Sequence, residues 1–168
     1  SLDRRQRQMC IRDRFKDFIK KTNLTKRPKI ELEEVGTPHK LKWNKCKIET
    51  ISYGHGITTT PLQATALYAS ITNGGNIVVP TLIKNKKKSE RRKIISEETS
   101  KKLISILRKV VTSENGTASL ADKDGYYVGG KTGTSESYGN KKHRLNSFIS
   151  VFPTNKPAYT LFVMLENP

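Results

Sequence analysis

Gly129-Gly130-Lys131-Thr132-Gly133-Thr134 places an ammonium, two hydroxyls and three residues without side chains within six positions. That combination suits recognition of an anion. Tyr126-Tyr127-Val128, just before it, is aromatic and β-branched, so the stretch is expected on or at the end of a strand. Alternation then puts Lys131 and Gly133 on one face and Thr132 and Thr134 on the other. Gly133 admits the close approach of another backbone, as when a peptide adds to a sheet edge. A solvated Lys-Thr strand end is the alternative these residues leave open by themselves.

Downstream, residues 135–145 are polar and contain glycine, which reads as a mobile loop. Phe148-Ile149-Ser150-Val151-Phe152 and Tyr159-Thr160-Leu161-Phe162-Val163-Met164-Leu165 read as two strands joined at Thr154-Asn155-Lys156-Pro157. The longer is apolar almost throughout, so both of its faces are expected to be covered. With the Tyr126 strand they make a three-stranded antiparallel piece.

Upstream, Thr60-Pro61-Leu62-Gln63 is a helix start: Thr60 caps, and Pro61 suits the first position because its absent N–H has no partner to lose. The helix is expected to reach Asn73-Gly74-Gly75, where glycine permits a left-handed stop. Ser96, followed by Glu97 and Glu98, caps a second helix whose apolar stripe is Leu103, Ile104, Leu107, Val110 and Val111. Phe15, Phe18 and Ile19 are spaced as a helix end, residues 30–35 read as a short strand and residues 77–80 as a short edge strand. Trp43 reads as a packing anchor. His55, in Ser52-Tyr53-Gly54-His55-Gly56, reads as a hydrogen-bonded structural histidine, because no nucleophile with supporting residues is apparent beside it.

The chain of 168 residues carries a formal net charge of +17 and 34% hydrophobic residues. Lysines spread from end to end, without interleaved aromatics or a groove-reading motif, point to a solvated basic surface and away from nucleic acid. The clusters Lys86-Lys87-Lys88 and Arg91-Arg92-Lys93 are read the same way. Cys10 and Cys46 form neither a disulfide framework nor a metal-ligand pattern, and no cofactor is implied. No apolar run of membrane-spanning length occurs. Residues 1–14 hold five of the ten arginines. This piece resembles a translated sequencing-adapter tail and is expected to be a non-native segment, with a genuine basic arm as the alternative.

Taken in order, the Ser52 to Gly56 stretch, Thr60-Pro61-Leu62-Gln63, Asn73-Gly74-Gly75, Gly130-Lys131-Thr132-Gly133-Thr134 and Phe148 to Pro153 resemble the C-terminal half of a class B penicillin-binding protein. Lys-Thr-Gly is among the signature strings of penicillin-binding proteins and class A β-lactamases. The resemblance implies an α+β transpeptidase fold of the β-lactamase-like type, partial here, with residues 15–168 truncated at both ends. It implies a peptidoglycan D,D-transpeptidase of the cell-division type that cross-links stem peptides by serine acyl transfer and binds penicillin. Lys131 would supply charge beside the reacting groups, and Thr132 and Thr134 would bind the substrate carboxylate beside Gly133. The Thr134 N–H would be one oxyanion donor.

No Ser-x-x-Lys string occurs in the sequence, so the fragment is expected to be inactive and its parent to carry the serine. Ser113-Glu114-Asn115 fits Ser-x-Asn but lies after the Ser52 to Gly56 stretch, where the family places that motif before it, so it reads as a decoy. His55 stands where many relatives have glutamine. The resemblance also implies β-lactams as ligands, a membrane glycosyltransferase and divisome or elongation proteins as partners, and a parent anchored at the periplasmic face of the cytoplasmic membrane. A class D β-lactamase or penicillin-sensing receptor domain is the alternative within this fold. A non-catalytic basic module binding nucleic acid or cell-wall polymer is the alternative of another class.

Overall fold

The computed structural model describes residues 4–43, 47–84, 92–138 and 142–168. Cys46, Lys86 to Lys88 and Arg91 lie outside the described residues. Two compact units are formed, one of Ser1–Ala64 with Val79–Glu90, the other of Thr65–Val78 with Arg91–Pro168.

In the first unit, helix α1 spans Arg4–Thr22 and helix α2 spans Lys47–Ser52. The composition shift after residue 14 has no counterpart in the backbone, which is helical across it. Ile19 of α1 and Ile51 of α2 are buried. Trp43 is half-buried, and the Lys16 ammonium lies 5.8 Å from its ring centroid. Residues 30–35 form no strand. Their polar groups find partners other than a neighbouring strand: the Glu33 carbonyl accepts from Arg27 Nη2 at 2.8 Å and from Val35 N at 3.0 Å, and the Glu31 carboxylate accepts from Thr81 Oγ1 at 2.6 Å and from the backbone N–H of Leu82 at 3.0 Å.

Helix α3 spans Pro61–Thr72. Thr60 Oγ1 accepts from Gln63 N at 3.2 Å while Gln63 Oε1 accepts from Thr60 N at 3.1 Å, a reciprocal capping box. Gln63 Nε2 also donates to the carbonyls of Asn23 and Lys26. One glutamine thus starts the helix and holds the loop after α1. Thr60→Ala is expected to weaken the first turn by about 1 kcal/mol, read as roughly fivefold faster amide hydrogen exchange at Gln63. The helix ends at Gly74 and Gly75, both at positive φ.

Residues 77–80 are not a strand. Asn76 makes a single bridge with Lys93, and the Val78 N–H is taken by Ser70 Oγ at 2.8 Å, which removes the donor a ladder needs. Helix α4 spans Glu97–Thr112, and Ser96 Oγ accepts from Thr99 N at 3.1 Å. Lys101, hydrogen-bonded to Glu97 and adding its positive charge, holds the Glu97 carboxyl below its usual pKa. Ser113 is the C-cap of α4, with its N–H on the Lys109 carbonyl, so Ser113-Glu114-Asn115 is where the helix stops.

Strands β1 (Gly129–Tyr138), β2 (Lys142–Phe152) and β3 (Tyr159–Glu166) form an antiparallel sheet in the order β1-β2-β3. With the helices this is the expected α+β class. Two expectations about β1 are corrected. Tyr126 to Val128 precede the strand, because Tyr127 sits at φ 50° and extended pairing cannot begin before it. Of the stretch 135–145, the described residues 135–138 and 142–145 are not a free loop. β1 and β2 pair without interruption from Gly129↔Val151 to Tyr138↔Lys142. Backbone hydrogen bonding and opposed pairs such as Glu136↔Arg144 carry this polar end of the ladder.

Val151 and Ile149 are buried with Val111 of α4. At Gly129 a β-carbon would meet Arg108 N at 3.0 Å and Thr154 Cγ2 at 2.6 Å, so only glycine lets the strand start this close to the helix. The expectation that β3 is covered on both faces is corrected too: Leu161, Val163 and Leu165 are 50%, 44% and 56% exposed. They alternate on the sheet face away from Val151, where no described element packs on them.

Candidate functional site

Lys131, Thr132, Gly133 and Thr134 lie in the interior of β1, opposite Ile149, Phe148, Ser147 and Asn146. Pairing is free of bulges, so alternation holds. Lys131 and Gly133 share the face of Ile149, while Thr132 and Thr134 share the face of Phe148 and Asn146. All but the half-buried Thr132 are exposed.

Lys131 curls round the strand, and its Nζ donates to the Thr132 carbonyl at 3.0 Å and approaches Thr132 Oγ1 at 3.4 Å. The Thr132 carbonyl therefore lies on the open edge of β1. On the other side, the Gly133 carbonyl points to β2 and accepts from Ser147 Oγ at 3.3 Å. In an antiparallel strand the N–H and C=O of one residue point the same way and alternate residue by residue. The Thr134 N–H consequently shares the open edge with the Thr132 carbonyl. The edge thus gathers an ammonium, two hydroxyls and an unladdered N–H, a donor-rich margin for a negatively charged group.

Gly133 serves this margin by leaving room on the other face. A β-carbon there would lie 2.8 Å from Ser147 Oγ. Beside Thr134, Asn146 carries a buried Oδ1 with no hydrogen-bond partner among the described residues, a costly arrangement for an amide.

Two supports of the margin come from outside the strand. Arg108 Nη1 donates to the Val128 carbonyl and to Asp122 Oδ1, each at 2.7 Å, and Thr154 N donates to the Tyr127 carbonyl at 2.9 Å. They fix the entry to β1 three residues before Lys131. Thr132 Oγ1 donates to Thr117 Oγ1 at 3.1 Å. The sequence pattern did not single out Arg108 or Thr117, whose roles come from contacts across loops; the only signal was the Asn115-Gly116 turn before Thr117.

A separate cavity of about 570 Å³ lies between α4 and the β2–β3 turn, lined among others by Ile104, Arg108, Lys109, Thr154, Asn155 and Pro157. None of Lys131 to Thr134 lines it. His55 is exposed, its ring 6.3 Å from that of Tyr53. Among the described residues no cluster of metal-ligating side chains occurs and no helix is long and apolar enough to cross a membrane.

The family model for the penicillin binding protein transpeptidase domain matches residues 6–168. The chain is 33% identical over 169 residues to the "Probable peptidoglycan D,D-transpeptidase FtsI" of Caulobacter vibrioides, covering 92% of this chain and 29% of that protein. It is 31% identical over 135 residues to stage V sporulation protein D of Bacillus subtilis, covering 71% of this chain and 21% of that one. Among solved structures, penicillin-binding protein 3 from Mycobacterium tuberculosis complexed with ampicillin superposes with a TM-score of 0.82 at 25% identity, over 93% of this chain and 40% of that one. The chain thus spans less than a third of the length of these curated relatives.

Proposed function

The chain belongs to the penicillin-binding protein transpeptidase domain family, and from that premise we propose that its parent protein is a peptidoglycan D,D-transpeptidase in which β1 forms one wall of the cleft. The observation that carries this reading is the open edge of β1, where Lys131, Thr132 and Thr134 present cationic and hydrogen-bonding donors on one margin.

In the proposed reaction a serine oxygen attacks the carbonyl carbon between the last two D-alanines of a stem peptide. Collapse of the tetrahedral intermediate breaks the C–N bond, and the terminal D-alanine leaves with a proton. An amine of a second stem peptide then displaces the serine, closing the cross-link. The Thr132 and Thr134 hydroxyls hold the terminal carboxylate, and the Thr134 N–H donates to the oxyanion. Lys131 keeps the proton-transfer groups in their reactive state. The serine belongs to a part of the parent outside these 168 residues, since the sequence has no Ser-x-x-Lys string. A β-lactam would enter the same margin through its own carboxylate.

The reading further proposes action at the outer face of the cytoplasmic membrane, beside a membrane glycosyltransferase and division or elongation proteins. Fluorescent penicillin tests it: the parent is expected to form a stable covalent adduct, and residues 15–168 alone are expected to form none. Rapid turnover of the label by the parent would assign a β-lactamase instead. Labelling of the 15–168 piece would place a nucleophile within it.

A further inference from the structure

Thr117 lies just after the Asn115-Gly116 turn, in a segment whose backbone is fastened on both sides. Gly116 N donates to the Ser113 carbonyl at 2.8 Å and Ala118 N to the Val110 carbonyl at 3.4 Å, while Ala118 is buried. The segment therefore presents the Thr117 hydroxyl from the end of α4, across 15 residues of chain, to Thr132 Oγ1 at 3.1 Å. With the Lys131 ammonium 3.4 Å from the same Thr132 oxygen, the three side chains form a line: Lys131 toward Thr132, Thr132 toward Thr117. Each donor in such a line polarises the next.

We propose that Thr117 is a positioning residue for carboxylate recognition, acting through Thr132; the inference rests on the reading of Thr132 as a carboxylate ligand. A hydroxyl has one hydrogen to donate and two lone pairs to accept with. With the margin empty, Thr132 spends its hydrogen on Thr117. When a carboxylate arrives, the Thr132 O–H turns to it, a lone pair of Thr132 Oγ1 comes to face Thr117, and the Thr117 hydroxyl donates to that lone pair. No bond to carbon changes, and the two hydroxyls exchange donor and acceptor roles. Throughout, Thr117 keeps the Thr132 oxygen in one rotamer, so the ligand does not bear the cost of ordering it.

The test uses the full-length parent and compares the acylation rate constant for benzylpenicillin with that for its methyl ester, which lacks the carboxylate charge. Thr117→Val is expected to slow acylation by the acid about three- to tenfold, the worth of one hydrogen bond, with the ester rate unchanged. Thr117→Ser, which keeps the hydroxyl, is expected to restore the preference for the acid. An acid rate equal to wild type in Thr117→Val, or equal slowing of acid and ester, would overturn the proposal. Thr132→Val is the control for its premise. Loss of acid preference there but not in Thr117→Val refutes the role of Thr117 alone, whereas an unchanged preference in Thr132→Val refutes the carboxylate reading itself.

Discussion

Thr134→Pro in the parent transpeptidase is expected to slow acylation by penicillin about a hundred- to a thousandfold, the usual cost of losing one oxyanion donor. Proline removes the one backbone hydrogen that the proposed mechanism asks of residue 134. The substitution is unusually clean here because that N–H faces the open edge of β1, opposite in direction to the Gly133 carbonyl that Ser147 holds. Proline is tolerated where the lost donor points away from the ladder. Thr134→Val retains the N–H and removes the hydroxyl, so it separates the two roles given to this residue. Stopped-flow acylation with fluorescent penicillin measures both, and a proline variant within tenfold of wild type would rule out the Thr134 N–H as oxyanion donor.

The second large effect concerns the isolated chain, which is expected to show no sharp thermal transition and to bind an apolar-surface dye already at 25 °C. In the unit that carries β1, the buried apolar side chains among the described residues are Ile94, Val111, Ala118, Ile149 and Val151. Against them stand Leu161, Val163 and Leu165 of β3, all 44% exposed or more. Exposed apolar surface on that scale marks a face made for burial, and so small a core leaves little to offset backbone entropy. Calorimetry decides the point, since a single cooperative peak would refute it.

What the sequence made legible was local. The Thr60 cap, the glycine stop after Thr72 and the Ser96 cap rest on contacts within four residues, and each is where the pattern puts it. Lys131 to Thr134 was legible for a different reason, as a signature string whose alternation survives in a ladder without bulges. Illegible were features decided at long range. Residues 135–138 have no apolar face, so nothing in their pattern announces a strand; pairing with 142–145 makes them one. Residues 30–35 and 77–80 do alternate or run apolar, yet backbone groups within them are claimed by Arg27 and Ser70. Thr117 falls in this class as well, since its partner is defined by how the turn after α4 lies against β1.

One row of the sheet joins these threads. Thr132, Phe148 and Val163 lie side by side across β1, β2 and β3 on a single face, and Thr134, Asn146 and Leu165 form the next row. The hydroxyls proposed to take the carboxylate therefore stand on the same ground as the uncovered apolar stripe. Covering that stripe would lower the dielectric around Thr132 and Thr134 and sharpen every hydrogen bond they make. Packing on β3 and affinity at β1 are in that sense two readings of one surface.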